Sequence, residues 1–342
     1  MQLCPICGSN AIFFSEYKGV NSDDRLLHKI FAGKKTLYCN NCSHCFCEPG
    51  VDAGLLKSYY QLNFWDKPKS LKDQFKTRST KLYLIARGIL KKSTQSPRVD
   101  LIKNHIENMG GFDWIKNGKV LEIGAGQADI SIGLSKYYRS TFHVVEPSDE
   151  FQYLYKAYGI KKISDTFEDM KEADDYAVIA SAHWLEHVIS INEAILKIKR
   201  LLKKDGILFI EVPNCEYPYF KYRYFPNPAH LHFFTPKSLK GLIEKHNFKV
   251  VFSMTCGRPI EWEKNIGYLK PETPVCINSG EVKALEIERE KNYRNFLNQL
   301  PGDTKEGHSS DGWLQDVYNE SGREFIRIIA INEGERSSKK II

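Results

Sequence analysis

The sequence predicts an α/β fold built on a parallel sheet, and three stretches carry that expectation. Residues 120–127 read Val-Leu-Glu-Ile-Gly-Ala-Gly-Gln. Val120, Leu121 and Ile123 suit a strand buried on both faces, and Gly124 and Gly126 let the backbone turn tightly and approach a ligand without Cβ interference. Residues 142–145 form a second apolar run that ends in an acid, Glu146. Residues 207–212, Ile-Leu-Phe-Ile-Glu-Val, form a further strand closed by Pro213-Asn214.

The segment 128–137 carries apolar residues at helical spacing, so strand, glycine turn and helix follow in order. Glu146 closes the next strand, where a carboxylate can accept both hydroxyls of a ribose. A dinucleotide fingerprint wants a third glycine where this chain has Asp129. Glu122 and Asp129 flank the turn; they repel a pyrophosphate and suit a ligand carrying an ammonium and a sulfonium. The stretch resembles motif I of the class I S-adenosylmethionine-dependent methyltransferases, with Glu146 as the ribose acid of motif II. The resemblance implies a cofactor site at Glu122, Gly124, Ala125, Gly126, Glu146 and Pro147, continued by Thr166, Phe167, Ser181 and His183.

Further elements follow in the same order. A short strand ends near Ser164, which puts Asp165, Thr166 and Phe167 at its carboxyl end. In this family that position faces the adenine; the Phe167 ring packs either on that face or in the core. Residues 176–181 form the next apolar strand and run into Ala-His-Trp-Leu-Glu-His-Val, which resembles the Leu-Glu-His-Val segment of many small-molecule and sugar methyltransferases. Open α/β sheets place ligands beyond the carboxyl ends of their strands, so Glu186 and His187 face a substrate there. A histidine can take a proton from an attacking hydroxyl, and a neighbouring carboxylate can orient it. The alternative is that one of the pair caps the next helix while the other packs.

Residues 192–203 read as an amphipathic helix ended by Asp205-Gly206. The Pro- and Tyr-rich run 213–228 is neither helix nor central strand, because prolines remove backbone donors. After it comes His-x-His-Phe-Phe-Thr-Pro, in which Thr235-Pro236 starts a helix over 237–247 and residues 248–254 form a strand. Glu-Val-Pro-Asn followed by this segment resembles glycan and small-molecule methyltransferases. His230 and His232 alternate, so an extended chain points both the same way. They either line a substrate pocket or pack in the loop. A zinc site there is disfavoured by the lack of a nearby third donor. His187 is the first candidate for the base, followed by His232, His230 and Glu186.

The chain opens Cys4-Pro5-Ile6-Cys7 and later reads Cys39-Asn40-Asn41-Cys42. Two Cys-x-x-Cys knuckles present four thiolates, which close a tetrahedron around a structural zinc with no open position. The knuckles lie further apart than in the commonest zinc ribbons, and Cys45 and Cys47 are surplus. Disulfides need an oxidising compartment. No basic region and apolar run precede Cys4, so the expectation is zinc and a cytoplasmic location. Zinc knuckles accompany both ribosomal-RNA and sugar-modifying methyltransferases. The knuckles contain few basic residues, and the Asn-Pro-Pro-Tyr signature of amino-group nucleic-acid methyltransferases is absent. Sugars are therefore favoured and nucleic acid is not.

The chain has 342 residues and a formal charge of +7, with lysines scattered rather than clustered. That weakly favours an anionic substrate such as a nucleotide-linked sugar or phosphorylated glycan. No apolar run approaches the ~20 residues that span a membrane. The expected organisation is a zinc module at 1–50, a helical linker or cap at 51–112 and the cofactor-binding core at 113–255. A polar insertion at 256–323, a final strand at 324–333 and a tail at 334–342 follow. The resemblance implies a doubly wound, seven-stranded, mostly parallel sheet, and methyl transfer to oxygen of a sugar, nucleotide sugar or glycan precursor. Carbon methylation of a nucleotide-linked ketosugar is the alternative; those enzymes usually carry a longer C-terminal α/β domain. A catalytically inactive binding protein on the same fold, or a zinc-knuckle RNA methyltransferase, is the reading from another class. The sequence leaves the oligomeric state open.

Overall fold

The computed structural model of the chain describes residues 2–17, 25–62, 96–171, 175–217, 229–259, 318–320 and 322–334. Most of the expected linker (63–95), the Tyr-rich run 218–228, most of the polar insertion (260–317) and the tail 335–342 lie outside the described residues.

The N-terminal part contains β1 (Gln2–Leu3), β2 (Asn10–Glu16), α1 (Arg25–Phe31), β3 (Lys35–Tyr38), β4 (Cys45–Cys47) and α2 (Ala53–Leu62). After α3 (Pro97–Asn108) and α4 (Gly111–Ile115), the α/β pattern begins with β5 (Lys119–Ile123), α5 (Asp129–Ser135), β6 (Thr141–Val145), α6 (Gln152–Ala157) and β7 (Lys161–Ser164). It continues through β8 (Tyr176–Ala182), a 3-10 turn (Leu185–His187), α7 (Ile191–Leu201), β9 (Leu202–Pro213), β10 (His232–Phe233), α8 (Pro236–Lys245), β11 (Phe248–Pro259), β12 (Tyr318–Asn319) and β13 (Arg323–Asn332).

The large sheet has the order β12-β11-β13-β9-β8-β5-β6-β7. Strands β5 to β9 pair in parallel, and β13 lies antiparallel between β9 and β11. Among the described residues the count is eight where seven were expected, because the two-residue β12 pairs with the end of β11. Side chains alternate across each strand. Leu121, Ile179, Leu208 and Ile210 therefore join α7 and α8 on one face, while Val120, Val178, Ile207 and Phe209 join α3, α5 and α6 on the other. Both faces are covered by helices, which is why the central strands read as continuous apolar runs.

The sheet order reverses at β5, whose neighbours are β6 and β8. Such a switch point leaves a crevice beyond the carboxyl ends of the strands. The cysteine-bearing part forms its own antiparallel sheet, β1-β2-β3-β4-β10. Its last strand comes from the α/β core: His232 pairs with Phe46 and Phe233 with Cys45. Cys4, Ile6, Leu37, Cys39, Cys42 and Phe46 share one apolar cluster with Leu239, Leu242 and Ile243 of α8. No helix among the described residues is long and apolar enough to cross a membrane.

Candidate functional site

The glycine turn after β5 opens the crevice. Gly124 and Gly126 have φ of +66° and +49°, which favours glycine at both. Gly124 donates its N–H to the Val145 carbonyl at 2.9 Å, which ties the turn to β6. A Cβ on Gly124 would lie 2.8 Å from the Cβ of Trp184, so the turn and the segment after β8 approach too closely for a side chain. The Tyr155 hydroxyl donates to the Gly126 carbonyl at 2.5 Å and fixes the far side of the loop.

Two acids frame this turn. Glu146, at the end of β6, accepts from the amides of Gly126 at 2.8 Å and Ser148 at 3.1 Å. These bonds hold the buried carboxylate against the glycine turn. Glu122 instead accepts from the Ser131 amide at 2.8 Å and the Ile130 amide at 3.4 Å, and so holds the first turn of α5. Burial, aided by Asp129, raises its pKa to about 7 against those amides. Ala125 is buried and Pro147 half-buried beside the two acids. The buried Ser181 hydroxyl, at the end of β8, has no hydrogen-bond partner among the described residues. A glycine cradle, an oriented acid and an orphaned hydroxyl at one switch point fit a nucleoside ligand.

Thr166 donates to Asp169 at 2.8 Å within its loop. Phe167 is 2% exposed, sits edge-on to Trp184 with centroids 5.3 Å apart, and belongs to the core cluster.

Beyond β8 the chain bends at His183, whose φ of +56° is left-handed. His183 reaches Glu211 on β9 at 3.0 Å and Glu186 at 3.7 Å. Burial opposes charge on this imidazole, but the two carboxylates outweigh it and hold its pKa near 9. For Glu186, burial opposes ionisation while His183, His187 and His230 hold the carboxyl below its ordinary range. Burial depresses His187, and burial together with His187 takes His230 down to about 3. The site therefore holds a cationic His183, an ionised Glu186 and two neutral imidazoles at neutral pH.

The tautomer of His187 follows from its contacts. Nδ1 lies 2.8 Å from the Ala229 carbonyl, which only accepts, so Nδ1 carries the hydrogen. Tyr60 of α2 donates to the same carbonyl at 3.0 Å and its oxygen lies 2.7 Å from Nδ1. Nε2 then carries the lone pair and lies 3.8 Å from Glu186. His230 joins this cluster, its ring 4.8 Å from that of His187. His232 does not. Its ring stacks on His44 with centroids 5.3 Å apart, and its Nδ1 lies 3.1 Å from His44 Nε2, inside the junction with the cysteine part. Of the two histidines expected to line a pocket or pack in the loop, His230 lies beside His187, while the pairing of β10 with β4 sets His232 against His44. The absence of a third donor near His230 is corrected: the fold supplies Glu186 and His187.

At the other junction, Cys4 and Cys42 Sγ lie 3.5 Å apart and Cys7 and Cys39 Sγ 3.4 Å apart, with all four sulfurs within 4.8 Å of one another. Zinc–sulfur bonds of ~2.3 Å put tetrahedral sulfurs about 3.8 Å apart, so the cluster fits a four-thiolate zinc site. Cys45 and Cys47 sit on β4 in a separate apolar cluster with Tyr17 and Phe31, outside this set.

Sequence reasoning passed over Tyr60, Trp184, His44 and Glu211 as site residues. Glu211 carried a usable signal: a carboxylate between Ile210 and Val212 in a buried strand requires charged partners. It has them in Arg98, whose Nε donates at 2.9 Å, and in Arg327. Tyr60 stands in the aromatic run of the segment expected to cap the cofactor, which marks it as a cap residue and not as a partner of His187; nothing local in the sequence marks His44.

Residues 99–252 match the profile of a family described as a methyltransferase domain. No curated protein matches the chain. Among solved structures, the chain is similar to the YcgJ protein of Bacillus subtilis, at 16% identity over 70% of this chain and 99% of that one, with a TM-score of 0.42. It is also similar to an S-adenosylmethionine-dependent methyltransferase of Thermotoga maritima described as a possible histamine N-methyltransferase, at 16% identity over 76% and 97%, with a TM-score of 0.42. At these values neither bears on what this chain acts on.

Proposed function

We propose that this chain, whose residues 99–252 match the profile of a methyltransferase domain, is a class I S-adenosylmethionine-dependent methyltransferase and that its acceptor is a hydroxyl oxygen of a sugar, nucleotide sugar or glycan precursor. When bound, the cofactor supplies an electrophilic methyl group on a sulfonium. Glu146 holds the ribose, the turn at Gly124, Ala125 and Gly126 admits the cofactor closely, and Ser181 and His183 border it. The observation that carries the reading is the lone pair on His187 Nε2, set by the Ala229 carbonyl and aimed at the Glu186 cluster beyond β8. A neutral imidazole there takes the proton from the acceptor oxygen as the oxygen attacks. Glu186 stabilises the resulting imidazolium, and His230 lines the same side. The net positive charge of the chain favours an anionic acceptor. Tyr60, a hydroxyl beside His187, also suits a carbonyl, and carbon methylation of a ketosugar is the second reading. The four cysteines hold a structural zinc.

The test is turnover of labelled S-adenosylmethionine against a panel of nucleotide sugars and glycan extracts. With an accepted substrate, His187→Ala lowers turnover by about 10²–10⁴ and leaves cofactor affinity nearly unchanged. Turnover on amines or RNA with none on the sugar panel would overturn the acceptor class. Unchanged turnover in His187→Ala would remove the base.

A further inference from the structure

We propose that Glu186, His187 and His230 form a second metal site, which takes one divalent transition-metal cation at the substrate end of the sheet. The inference deepens the reading of this cluster given above and uses three independent observations. First, one carboxylate oxygen and one nitrogen from each imidazole lie within 4.8 Å of one another. An ion with ~2.1 Å bonds holds its ligand atoms about 3–3.4 Å apart, so the side chains close by roughly 1 Å around it. Second, Glu186 is 1% exposed, yet neither carboxylate oxygen has a hydrogen-bond partner among the described residues. Cationic His183 offsets its charge at 3.7 Å but makes no hydrogen bond to it, so both oxygens keep lone pairs for a directly bound cation. Its histidine neighbours stand off at 3.7 and 3.8 Å, and His183 makes its shorter contact, 3.0 Å, with Glu211. Third, His187 donates its Nδ1 hydrogen to a backbone carbonyl and turns Nε2 inward. Metal-bound histidines are held in this way, with the outer nitrogen donating to a carbonyl or carboxylate.

The donor set selects the ion. Two imidazoles with one carboxylate suit Mn²⁺, Fe²⁺, Co²⁺ or Zn²⁺ and disfavour Mg²⁺ and Ca²⁺, which prefer oxygen alone. Three protein ligands leave positions open, unlike the four-cysteine site. An ion there would act as a Lewis acid that lowers the pKa of a bound acceptor hydroxyl; the proposed reaction then changes in one respect, with His187 a ligand and the hydroxyl proton passing to solvent water.

The experiment titrates the purified full-length protein, with its cysteine-bound zinc retained, with Mn²⁺ and separately with Co²⁺. Mn²⁺ is read by electron paramagnetic resonance and Co²⁺ by visible absorption; neither reading needs the methyl acceptor. The expected result is one added ion per chain, with a Co²⁺ spectrum free of thiolate charge-transfer bands. Glu186→Gln, which keeps the side-chain shape, and His230→Gln should each weaken binding by more than the roughly 10–100-fold that loss of an outer-shell partner costs, while Lys57→Met on the exposed face of α2 leaves it unchanged. S-adenosylmethionine binding and thermal melting report folding, and Glu186→Gln carries the test if His230→Gln fails to fold. No uptake of either ion up to millimolar concentration, or uptake equal in wild type and Glu186→Gln, overturns the site. A failed sugar screen would leave this result standing, and absence of the ion would leave methyl transfer standing.

Discussion

Glu122 shows how one residue can serve the loop and still cost the fold. Its carboxylate anchors the amides of Ile130 and Ser131, yet burial raises its pKa from 4.5 to about 7. A group that binds its proton more tightly when folded contributes stability that is complete below its unfolded pKa. That contribution is lost as the pH rises through the folded value. From about pH 4.5 to pH 7, ionisation of Glu122 should therefore remove up to roughly 3 kcal/mol from the cofactor-free protein. Glu122→Gln retains an acceptor for Ser131 and abolishes this slope. Urea unfolding across that range measures it: the variant should gain on the wild type as the pH rises, and parallel curves would mean the carboxylate is already solvated. Gly124 sets a different constraint. A Cβ there meets Trp184 at 2.8 Å, so the packing of the turn itself requires the glycine.

At the scale of elements, the coupling runs from the cysteine knuckles to the Glu186 cluster. The knuckle at Cys4 is fastened to the core by Asn192 and Lys245, which donate to the Pro5 carbonyl at 2.8 and 2.9 Å. Strand β4 then pairs with β10, and the residue before β10, Leu231, donates to the Glu186 carbonyl at 2.8 Å. Removing the metal should loosen β4, then β10, then His230. We expect about one zinc per chain at the cysteines, and we expect Cys39→Ser or a strong chelator to lower the melting temperature and depress turnover more than cofactor affinity. Elemental analysis, melting curves and calorimetry check this; a metal-free protein with full stability would refute it. The parallel strands, the glycine turn, Glu146 and the Thr235 cap were all legible in the sequence, because each is written in a local pattern. Thr235 and Ser238 do exchange side-chain and backbone bonds at 3.1 and 2.9 Å. The route through β10 was not legible. A two-residue strand that pairs across 185 residues of chain leaves no periodicity to read, and the alternation of His230 and His232 pointed to a shared face.

The whole molecule is closed by a charge cluster that no single segment predicts. Glu211 on β9 is fully buried and meets Arg98 at the start of α3, Arg327 on the late strand β13, and His183 beside the site. It therefore ties the first and last elements of the α/β core to the bend that carries the catalytic candidates. Burial works against ionisation of Glu211, but Arg98 and Arg327 hold its pKa well below the ordinary carboxylate range. A depressed pKa contributes stability above the unfolded value and loses it as the pH falls toward the folded one. Glu211→Gln leaves the buried Arg327 guanidinium without its carboxylate and the half-buried Arg98 with only the more distant Asp129, which costs about 3–5 kcal/mol. The loss should be greatest near neutral pH and shrink in acid, where the wild-type carboxylate begins to protonate. Replacing Arg98, Glu211 and Arg327 together with apolar residues of similar volume removes the stranded charge and should recover most of the stability. His183 would then lose its nearer carboxylate, so its pKa should fall from about 9 even though the fold is restored. Urea midpoints at neutral and acidic pH for the single and triple variants decide between a stabilising tie and a positioning one. If the triple variant is as unstable as Glu211→Gln, the cost lies in packing, and the charge cluster does not hold the sheet together.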